Sequence, residues 1–469
     1  MRAATSELAG IPVTVMGLGL FGGGVAVSRW LVARGARVTV TDLRTSEELA
    51  PAIAALRGLD LRFVLGEHRH ADFTGAALVV ANPAVSPRNP YLEAARTAGV
   101  PVTSETELFL ARCPARIAAV TGTQGKSSTC YALAQILGAS GFRVHLGGNI
   151  GRSLLEDLEV MAPADIAVVE LSSYQLESLP LPVGDPAVPP RVEVVAVTNV
   201  LADHLERHGS IEAYAAAKRR ILPLAAAAGG AAVLSAEDPR LRGWTETGLE
   251  RIDCFPTRAS DVGLNLRGGR FRLGEETLGR VGDLRIPGEF QRENVLVALG
   301  MARRLGASAE FLAASIPSLR SLPHRLEDLG VRRGHRVWDN GVSTTPDSTI
   351  SVLRSIEPGC TLLCGGQAKS LPLDELALVA RDRARRAIVF GRSADTFGTA
   401  LRAAGIEVRA AGTVEAAVEA AFEEMEEGEE LLFSPAAASF DAYLNFRDRA
   451  LAFRRALPPL DVETAASTR

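Results

Sequence analysis

The stretch Ile117-Ala-Ala-Val-Thr-Gly-Thr-Gln-Gly-Lys-Ser-Ser-Thr129 decides the fold of this chain. Its apolar start predicts a buried strand, and an apolar helical segment through Leu137 follows the Gly-Lys-Ser sequence. A strand, a glycine turn and Gly-Lys-Ser at a helix start are typical of a phosphate-binding loop, whose amides hold phosphate oxygens. The usual spacing puts a glycine at position 120, where this chain has Val120, so the loop is a shortened variant. The stretch therefore predicts a nucleotide-binding α/β domain.

Two later apolar segments predict further strands that end in polar residues. Glu170 follows the segment 166–169, and Asn199, Asp203 and His204 follow the segment 194–198. Ligands of doubly wound sheets collect at the carboxyl ends of the strands. A carboxylate one strand away from a phosphate loop suits magnesium. Beside Glu170, a ligand role for His204 and a helix-capping role are equally consistent with the sequence.

A second nucleotide-type turn lies near the N-terminus. The apolar run 12–16 leads into Gly17-Leu-Gly-Leu-Phe-Gly22, a helical segment to Arg34, a short strand at 38–40 and then Asp42. This order is the Rossmann-type fingerprint, in which glycines let the backbone approach a phosphate at a helix N-terminus. Asp42 can accept hydrogen bonds from a ribose or a base. The alternative is a tight turn in a doubly wound sheet without a ligand.

The rest of the chain predicts a third α/β region. From residue 321 onward, predicted strands at 361–364, 387–390 and 430–433 alternate with helices, and an amphipathic helix is expected near 439–457 before a polar tail at 463–469. We therefore predict an α/β fold of three domains. Residues 1–113 form a Rossmann-like domain, residues 114–322 a P-loop-type central ATPase domain, and residues 323–469 a Rossmann-like C-terminal domain.

Composition excludes several classes of protein. The 469 residues are 47% apolar with a net charge of −4, so a disordered or fibrous chain is not expected. The near-neutral charge provides no basic surface for nucleic acid. The chain has no apolar run near 18 residues, and its five scattered cysteines are typical of reduced thiols. We expect a soluble cytoplasmic monomer without a nucleic-acid partner or membrane insertion.

Lysine is rare in this chain. Of 51 basic residues only Lys126, Lys218 and Lys369 are lysines, and the other 48 are arginines. A guanidinium stays protonated and is not a compact ammonium, so it cannot replace lysine where either property is needed. Each of the three lysines is therefore a candidate for a role that needs a compact ammonium or an unprotonated amine.

Five strings occur in the order that is found in the Mur ligases. They are Gly122-Thr-Gln-Gly-Lys-Ser-Ser128, Val169-Glu-Leu-Ser-Ser-Tyr-Gln-Leu-Glu177, Asp203-His204, Leu322-Pro-His-Arg325 and Ser434-Pro-Ala-Ala-Ala-Ser439. Together they resemble that family over nearly the whole chain, from Gly17 to Phe453. The resemblance implies a ligase of peptidoglycan synthesis. ATP would phosphorylate the carboxylate of UDP-MurNAc-L-alanine, and the amine of D-glutamate would attack the acyl phosphate.

The resemblance also implies site residues. For ATP it implies Gly122, Thr123, Gln124, Gly125, Lys126, Ser127, Ser128, Gln291, Asn294, Arg325, Asp339 and Asn340. For catalysis and two Mg²⁺ ions it implies Lys126 at the phosphates, Ser127 and Glu170 at one ion, and His204 with a carbamylated Lys218 at the other. For UDP-MurNAc-L-alanine it implies Gly17, Gly19, Asp42, Arg44, Asn149, Ser172 and Gln175, and for glutamate it implies Lys369, Ser439 and Phe446. It also implies Thr344 as a substrate-binding residue, in a stretch near the glutamate site.

Four positions or stretches depart from the family pattern, and the first is Gln124, which stands where Asn is common in the phosphate loop and keeps the amide. Phe21 replaces a small polar residue beside the first glycine turn, and Phe290-Gln291 stands where His-Asn is usual. Asp339-Asn-Gly-Val-Ser-Thr344 replaces Asn-Asp-Ser-Lys-Ala-Thr, so the acid and the amide are swapped and the Ser-Lys pair is lost. Either Asp339 or Asn340 is then the ribose contact, and the glutamate can be the D or the L isomer.

Other functions remain as alternatives. A ligase of the folylpolyglutamate type also adds glutamate through an acyl phosphate, but the complete first domain favours a UDP-sugar. A nicotinamide-dependent oxidoreductase would use the first glycine turn and leave Lys126, Glu170 and His204 unexplained. A scaffold protein that has lost activity is the non-enzymatic alternative, and the altered stretch 339–344 is its only support.

Overall fold

The computed structural model describes residues 8–20, 22–185, 187–255, 263–369 and 371–461. Phe21 and the predicted polar tail 463–469 lie outside the described residues. The chain divides into two compact units. The first comprises Met1–Asp283 and Asn294–Ile316, and the second comprises Leu284–Glu293 and Pro317–Arg469.

The first sheet has five parallel strands in the order β3-β2-β1-β4-β5. The strands are β1 (Pro12–Met16), β2 (Arg37–Asp42), β3 (Leu61–Leu65), β4 (Leu78–Ala81) and β5 (Val102–Thr103). The helices are α1 (Gly23–Ala33), α2 (Ala50–Ala55), α3 (His70–Thr74), α4 (Pro90–Thr97) and α5 (Glu105–Leu110). Strand order reverses at β1, so the glycine turn after β1 lies at the switch point where ligands of such sheets bind.

The second sheet has nine strands in the order β14-β13-β12-β11-β10-β9-β6-β8-β7. The strands are β6 (Arg116–Thr121), β7 (Val144–Gly148), β8 (Ile166–Glu170), β9 (Val192–Val197), β10 (Ala231–Ser235), β11 (Glu250–Cys254), β12 (Gly263–Arg267), β13 (Arg270–Leu273) and β14 (Glu276–Arg280). The helices are α6 (Lys126–Ala139), α7 (Ser173–Ser178), α8 (Leu205–His208), α9 (Ile211–Arg219), α10 (Ile221–Ala226), α11 (Glu289–Arg304) and α12 (Ala309–Ser315). Strand β6 pairs in parallel with β8 and β9, which brings the loop after β6 beside the ends of both.

The third sheet has six strands in the order β15-β16-β20-β17-β18-β19. The strands are β15 (Glu327–Arg332), β16 (His335–Asp339), β17 (Cys360–Gly365), β18 (Ala384–Phe390), β19 (Glu407–Ala410) and β20 (Leu431–Phe433). The helices are α13 (Pro346–Leu353), α14 (Asp374–Arg383), α15 (Ala394–Ala403), α16 (Val414–Glu424) and α17 (Phe446–Ala456). Short 3₁₀ turns lie at Glu156–Glu159, Val281–Asp283 and Ile316–Ser318.

The three sheets and the helices of the described residues confirm the α/β class. The predicted start of the last helix, by contrast, is wrong. Helix α17 begins at Phe446 rather than near residue 439, because Asn445 caps it by accepting hydrogen bonds from the amides of Arg447 and Asp448. The predicted domain limits at 113 and 322 stay predictions. All five cysteines are buried free thiols. Among the described residues, no helix has the length and apolar character that a membrane span requires.

Candidate active site

The loop between β6 and α6 needs glycine at two positions. Gly122 has a φ of +148° and Gly125 a φ of +81°, both unfavourable for other residues. A Cβ at Gly122 would lie 1.9 Å from the Thr198 hydroxyl, and a Cβ at Gly125 would lie 2.3 Å from the Asn294 side-chain oxygen. The backbone therefore passes directly against these two side chains, which brings the predicted ATP residue Asn294 to the loop.

Asn199, two residues after the end of β9, holds the loop in place. Its carbonyl oxygen accepts a hydrogen bond from the Thr123 amide at 3.0 Å, and its side-chain oxygen accepts one from the Gln124 amide at 2.9 Å. The half-buried Lys126 begins helix α6, and its Nζ donates to the Thr123 carbonyl at 2.8 Å. The ammonium thus lies at the loop and the helix N-terminus, where both charge and backbone amides favour a phosphate.

Glu170 joins two other predicted site residues. It ends β8 and is 2% exposed. Ser127 Oγ donates to Glu170 Oε2 at 2.6 Å, and Asn149 Nδ2 donates to Glu170 Oε1 at 2.8 Å. A hydroxyl and a carboxylate are the oxygen ligands that Mg²⁺ prefers, so this donor set fits that ion.

Lys218 is buried against the same loop. It lies on α9, is 1% exposed and donates from Nζ to the Gly122 carbonyl at 2.6 Å. The Nζ also lies 4.3 Å from the centre of the Tyr214 ring. Burial, followed by the nearby Lys126 ammonium, lowers the pKa of Lys218 to about 7, although Asp203 and Glu170 act in the opposite direction. A large fraction of this amine is therefore unprotonated near neutral pH.

His204 is exposed and precedes α8 in a left-handed conformation with a φ of 53°. Its Nδ1 lies 3.4 Å from the Tyr174 hydroxyl, and its Nε2 lies 3.5 Å from an Asp203 carboxylate oxygen. Its ring centre is 6.3 Å from that of Tyr214, the same ring that Lys218 contacts. The structure therefore brings His204 and Lys218 to one aromatic side chain.

Sequence reasoning missed Tyr214. Its hydroxyl lies 3.2 Å from Thr123 Oγ1, so it links α9 to the phosphate loop. The sequence contains a signal that places Tyr214 beside Lys218, because residues four apart share one face of a helix and Tyr214 precedes Lys218 by four.

Asp42 holds the first glycine turn. Its two carboxylate oxygens accept hydrogen bonds from the amides of Gly19, at 3.2 Å, and Arg44, at 3.0 Å. Gly17 has a φ of +90°, and a Cβ there would lie 2.8 Å from Asn82 Cβ. Arg44 is exposed. The turn is thus preorganised, and contact of these residues with a UDP group stays a prediction.

Ser172 and Gln175 form a capping box at the start of α7. Ser172 Oγ accepts from the Gln175 amide, and the Gln175 side-chain oxygen accepts from the Ser172 amide at 2.8 Å. Gln175 Nε2 also donates to Thr106 Oγ1 at 3.1 Å, which connects the part of the chain that carries the first sheet to the part that carries the second.

In the second unit, Asp339 is fully buried. Its Oδ2 lies 2.7 Å from His324 Nδ1 and accepts from Arg454 Nε at 2.7 Å, while its Oδ1 accepts from the Gly341 amide at 2.8 Å. His324, Asp339 and Glu327 have the spacing of a metal-binding group. However, the Arg454 guanidinium donates to both carboxylates, so it supplies the positive charge there.

Asn340 is also engaged internally. Its side chain donates to Ser434 Oγ at 2.9 Å, and it is 3% exposed. Contact of either Asp339 or Asn340 with ATP stays a prediction. The other predicted residues of this unit differ in exposure: Ser439 and Gln291 are buried, Arg325, Thr344 and Phe446 are half-buried, and Lys369 is exposed.

Comparison with known proteins decides the family. Residues 120–302 match the Mur ligase middle domain, and residues 12–104 match the N-terminal domain of MurD-like Mur ligases. The chain is 34% identical over 466 residues to UDP-N-acetylmuramoylalanine–D-glutamate ligase of Roseiflexus sp. strain RS-1, covering 96% of this chain and 98% of that one. The chain belongs to the Mur ligase family.

Further comparisons agree. This Mur ligase is also 36% identical to UDP-N-acetylmuramoylalanine–D-glutamate ligase of Geobacter metallireducens. The comparison covers 97% of this chain and 98% of that one. Its fold is similar to UDP-N-acetylmuramate-alanine ligase MurC of Thermotoga maritima, at a TM-score of 0.61 and 18% identity over 98% of this chain and 100% of that one. MurF of the same organism, solved in complex with ADP, has a TM-score of 0.57 and 17% identity over 97% and 98% of the two chains.

Proposed function

We propose that this Mur ligase joins D-glutamate to UDP-N-acetylmuramoyl-L-alanine and cleaves ATP to ADP and phosphate; its relatives are named as ligases of UDP-N-acetylmuramoylalanine and D-glutamate. The observation that carries the proposal is the assembly of Lys126, Ser127, Glu170 and Lys218 around one phosphate loop. That assembly suits phosphoryl transfer and has no use in hydride transfer. A cytoplasmic location and a monomeric state are part of the same proposal.

The first step activates the substrate carboxylate. A carboxylate is a poor acyl donor until one of its oxygens becomes a leaving group. One carboxylate oxygen of the L-alanine attacks the γ-phosphorus of ATP, the bond from that phosphorus to the bridging oxygen breaks, and ADP leaves. Lys126 and the loop amides stabilise the negative charge on the phosphate oxygens, which is the main contribution a protein makes to this kind of transfer.

Ser127 and Glu170 would hold one Mg²⁺, and His204 and Lys218 would serve a second. A bound Mg²⁺ supplies positive charge that neutralises the phosphate oxygens. Asn149 keeps the Glu170 carboxylate in a defined orientation by donating to one of its oxygens. The His204 side chain is 46% exposed.

Lys218 would act as its carbamate. The Nζ lone pair forms a bond to the carbon of CO₂ and an N–H proton is lost, so the product is an anionic ligand in place of a cation. Only an unprotonated amine reacts in this way. The burial of Lys218 and its pKa of about 7 support this step.

The second step forms the amide. The unprotonated amine of glutamate attacks the acyl carbon, the bond to the phosphate oxygen breaks, and inorganic phosphate and a proton are released. Lys369 and Ser439 are proposed to bind the glutamate. Their loops lie side by side, because Gln367 and Ala438 exchange two backbone hydrogen bonds at 2.9 and 3.0 Å.

Phosphate release tests the proposal. The enzyme is incubated with ATP, Mg²⁺ and UDP-MurNAc-L-alanine, and D-glutamate or L-glutamate is added in parallel reactions. A third reaction replaces the UDP substrate with a reduced folate. We expect release with D-glutamate and the UDP substrate only. Release with L-glutamate alone would change the stereochemistry, and release with the folate alone would assign the chain to the folylpolyglutamate type.

A thermal shift experiment separates the ligase from an oxidoreductase. UDP-MurNAc-L-alanine should raise the melting temperature, because it binds the folded state, and NAD should not. A shift with NAD and none with the UDP substrate would overturn the ligase assignment.

A further inference from the structure

Arg449 is a fully buried arginine in the second unit that the proposed mechanism does not use. It lies on α17 and is 0% exposed. We propose that Arg449 is a positioning residue that fixes the loops carrying Thr344, Lys369 and Ser439, and thereby shapes the site for the incoming amino acid. This inference rests on the proposed function.

The guanidinium of Arg449 contacts two loops directly. Its Nη1 donates to the carbonyls of Ala437 and Ala438 at 2.9 and 3.1 Å, in the loop after β20. Its Nη2 donates to the carbonyls of Gly341 and Ser343 at 3.4 and 3.1 Å, in the loop after β16. One planar group thus joins the segment just before Thr344 to the segment just before Ser439.

The loop that carries Lys369 is connected to Arg449 through the loop that carries Ser439. Ala438, whose carbonyl Arg449 binds, also pairs with Gln367, two residues before Lys369. The Gly366 backbone packs against the guanidinium, because a Cβ there would lie 2.9 Å from Arg449 Nη1 and 2.5 Å from the Ala438 carbonyl oxygen. The three loops that carry the proposed glutamate residues therefore meet at one buried side chain.

The free-energy cost of burying the Arg449 guanidinium indicates that this residue does more than fill space. Burying a guanidinium is costly unless it is hydrogen bonded, and here every hydrogen-bond acceptor is a backbone carbonyl. Its Nε has no hydrogen-bond partner among the described residues. Burial lowers the pKa of Arg449 to about 10, so the group remains charged at neutral pH. An apolar side chain would fill the space at lower cost but would not connect the loops.

The planar fork of arginine is needed for this contact. Lysine carries one nitrogen where arginine has two terminal nitrogens, so lysine cannot donate to both loops in the same geometry. We therefore expect Arg449→Lys to raise the KM for glutamate about 10- to 100-fold, the range that follows from small displacements of binding groups. The KM values for ATP and for UDP-MurNAc-L-alanine should change less than about 2-fold.

The experiment compares Arg449→Lys with Arg455→Lys, a control on the exposed side of the same helix. The three KM values and kcat are measured by phosphate release, with melting temperature and circular dichroism recorded for each protein. If Arg449→Lys does not fold, Gly366→Ala disturbs the same contact from the neighbouring loop and should raise the KM for glutamate selectively.

Each outcome decides the inference. A selective rise in the KM for glutamate supports it. Unchanged glutamate kinetics in a folded variant, or an equal change in all three KM values, would overturn it. Failure of the unaltered enzyme to use glutamate would instead count against the proposed function, so the two failures are distinguishable.

Discussion

The ammonium of Lys218 donates a hydrogen bond to the carbonyl oxygen of Gly122 across 2.6 Å. Gly122 opens the phosphate loop, and Lys218 lies on a helix that follows it by almost a hundred residues. The contact therefore places a buried amine beside the site where we propose that ATP reacts. A lysine in this position has two properties that an arginine lacks, because it is compact and it can lose its proton.

We expect Lys218→Arg to be about as damaging as Lys218→Ala. Arginine keeps the positive charge, but it cannot form a carbamate and is too large for a side chain that is 1% exposed. Phosphate release should fall by about 10²-fold or more in both variants, the size of loss seen when one preorganised electrostatic group is removed. Arg219→Lys, on the exposed neighbouring residue, is the matched control. Near-normal turnover of Lys218→Arg would exclude the carbamate.

Carbon dioxide should activate the enzyme at fixed pH. Because the carbamate forms reversibly, enzyme kept in CO₂-free buffer should release phosphate slowly, and added bicarbonate should restore the rate. Lys218→Ala should show no response, because it has no amine to react. A rate that is independent of bicarbonate in the unaltered enzyme would argue against carbamylation.

The lowered pKa of Lys218 predicts a pH-dependent stability. The pKa is about 7 in the folded chain against an ordinary value of 10.5, so between these values the unfolded chain binds a proton that the folded chain does not. The free energy of unfolding should therefore rise with pH in this window, by up to about 1.4 kcal/mol per pH unit. Urea unfolding between pH 7 and pH 9 in CO₂-free buffer measures the slope. Lys218→Met should have a smaller slope, and identical slopes would mean that the pKa is not lowered.

Glu170 and Asn149 allow a graded test of the magnesium site. Glu170→Gln removes the negative charge but keeps the shape, so phosphate release should fall by about 10²-fold or more and higher Mg²⁺ should restore it only in part. Asn149→Ala removes only the hydrogen bond that orients the carboxylate, so a smaller loss is expected. A Mg²⁺ titration of both variants separates the two effects. Equal losses would show that orientation, rather than charge, is what Glu170 requires.

The local signals predicted the secondary structure around the phosphate loop well. Strand β6, the glycine turn and the start of α6 lie where the sequence places them, because hydrophobic patterning and glycine requirements act over a few residues. Strands β11 to β14 were not predicted, since each has only four or five residues and at least one of them is charged. The buried roles of Asp339 and Arg449 were not predictable either. Each residue has at least one partner more than a hundred positions away along the chain, and no local spacing predicts such a contact.

The carboxylate of Asp339, which stands where the family pattern has an asparagine, should stabilise the second unit. Asp339 is 0% exposed and binds Arg454, so Asp339→Asn removes one of the two carboxylates, those of Asp339 and Glu327, that the partly buried guanidinium binds. We expect a loss of about 2 kcal/mol, below the 3 to 5 kcal/mol for fully buried pairs, because Arg454 is 28% exposed.

Differential scanning calorimetry of a double-mutant cycle with Arg454→Met checks this expectation. If the two groups stabilise each other, the double variant should lose less stability than the sum of the single variants. Asp328→Asn is the control, because its pair with Arg336 is 3.9 Å long and about half exposed on both sides, and such pairs contribute less than about 1 kcal/mol. Additive losses would show that Asp339 acts through His324 and the Gly341 amide rather than through Arg454.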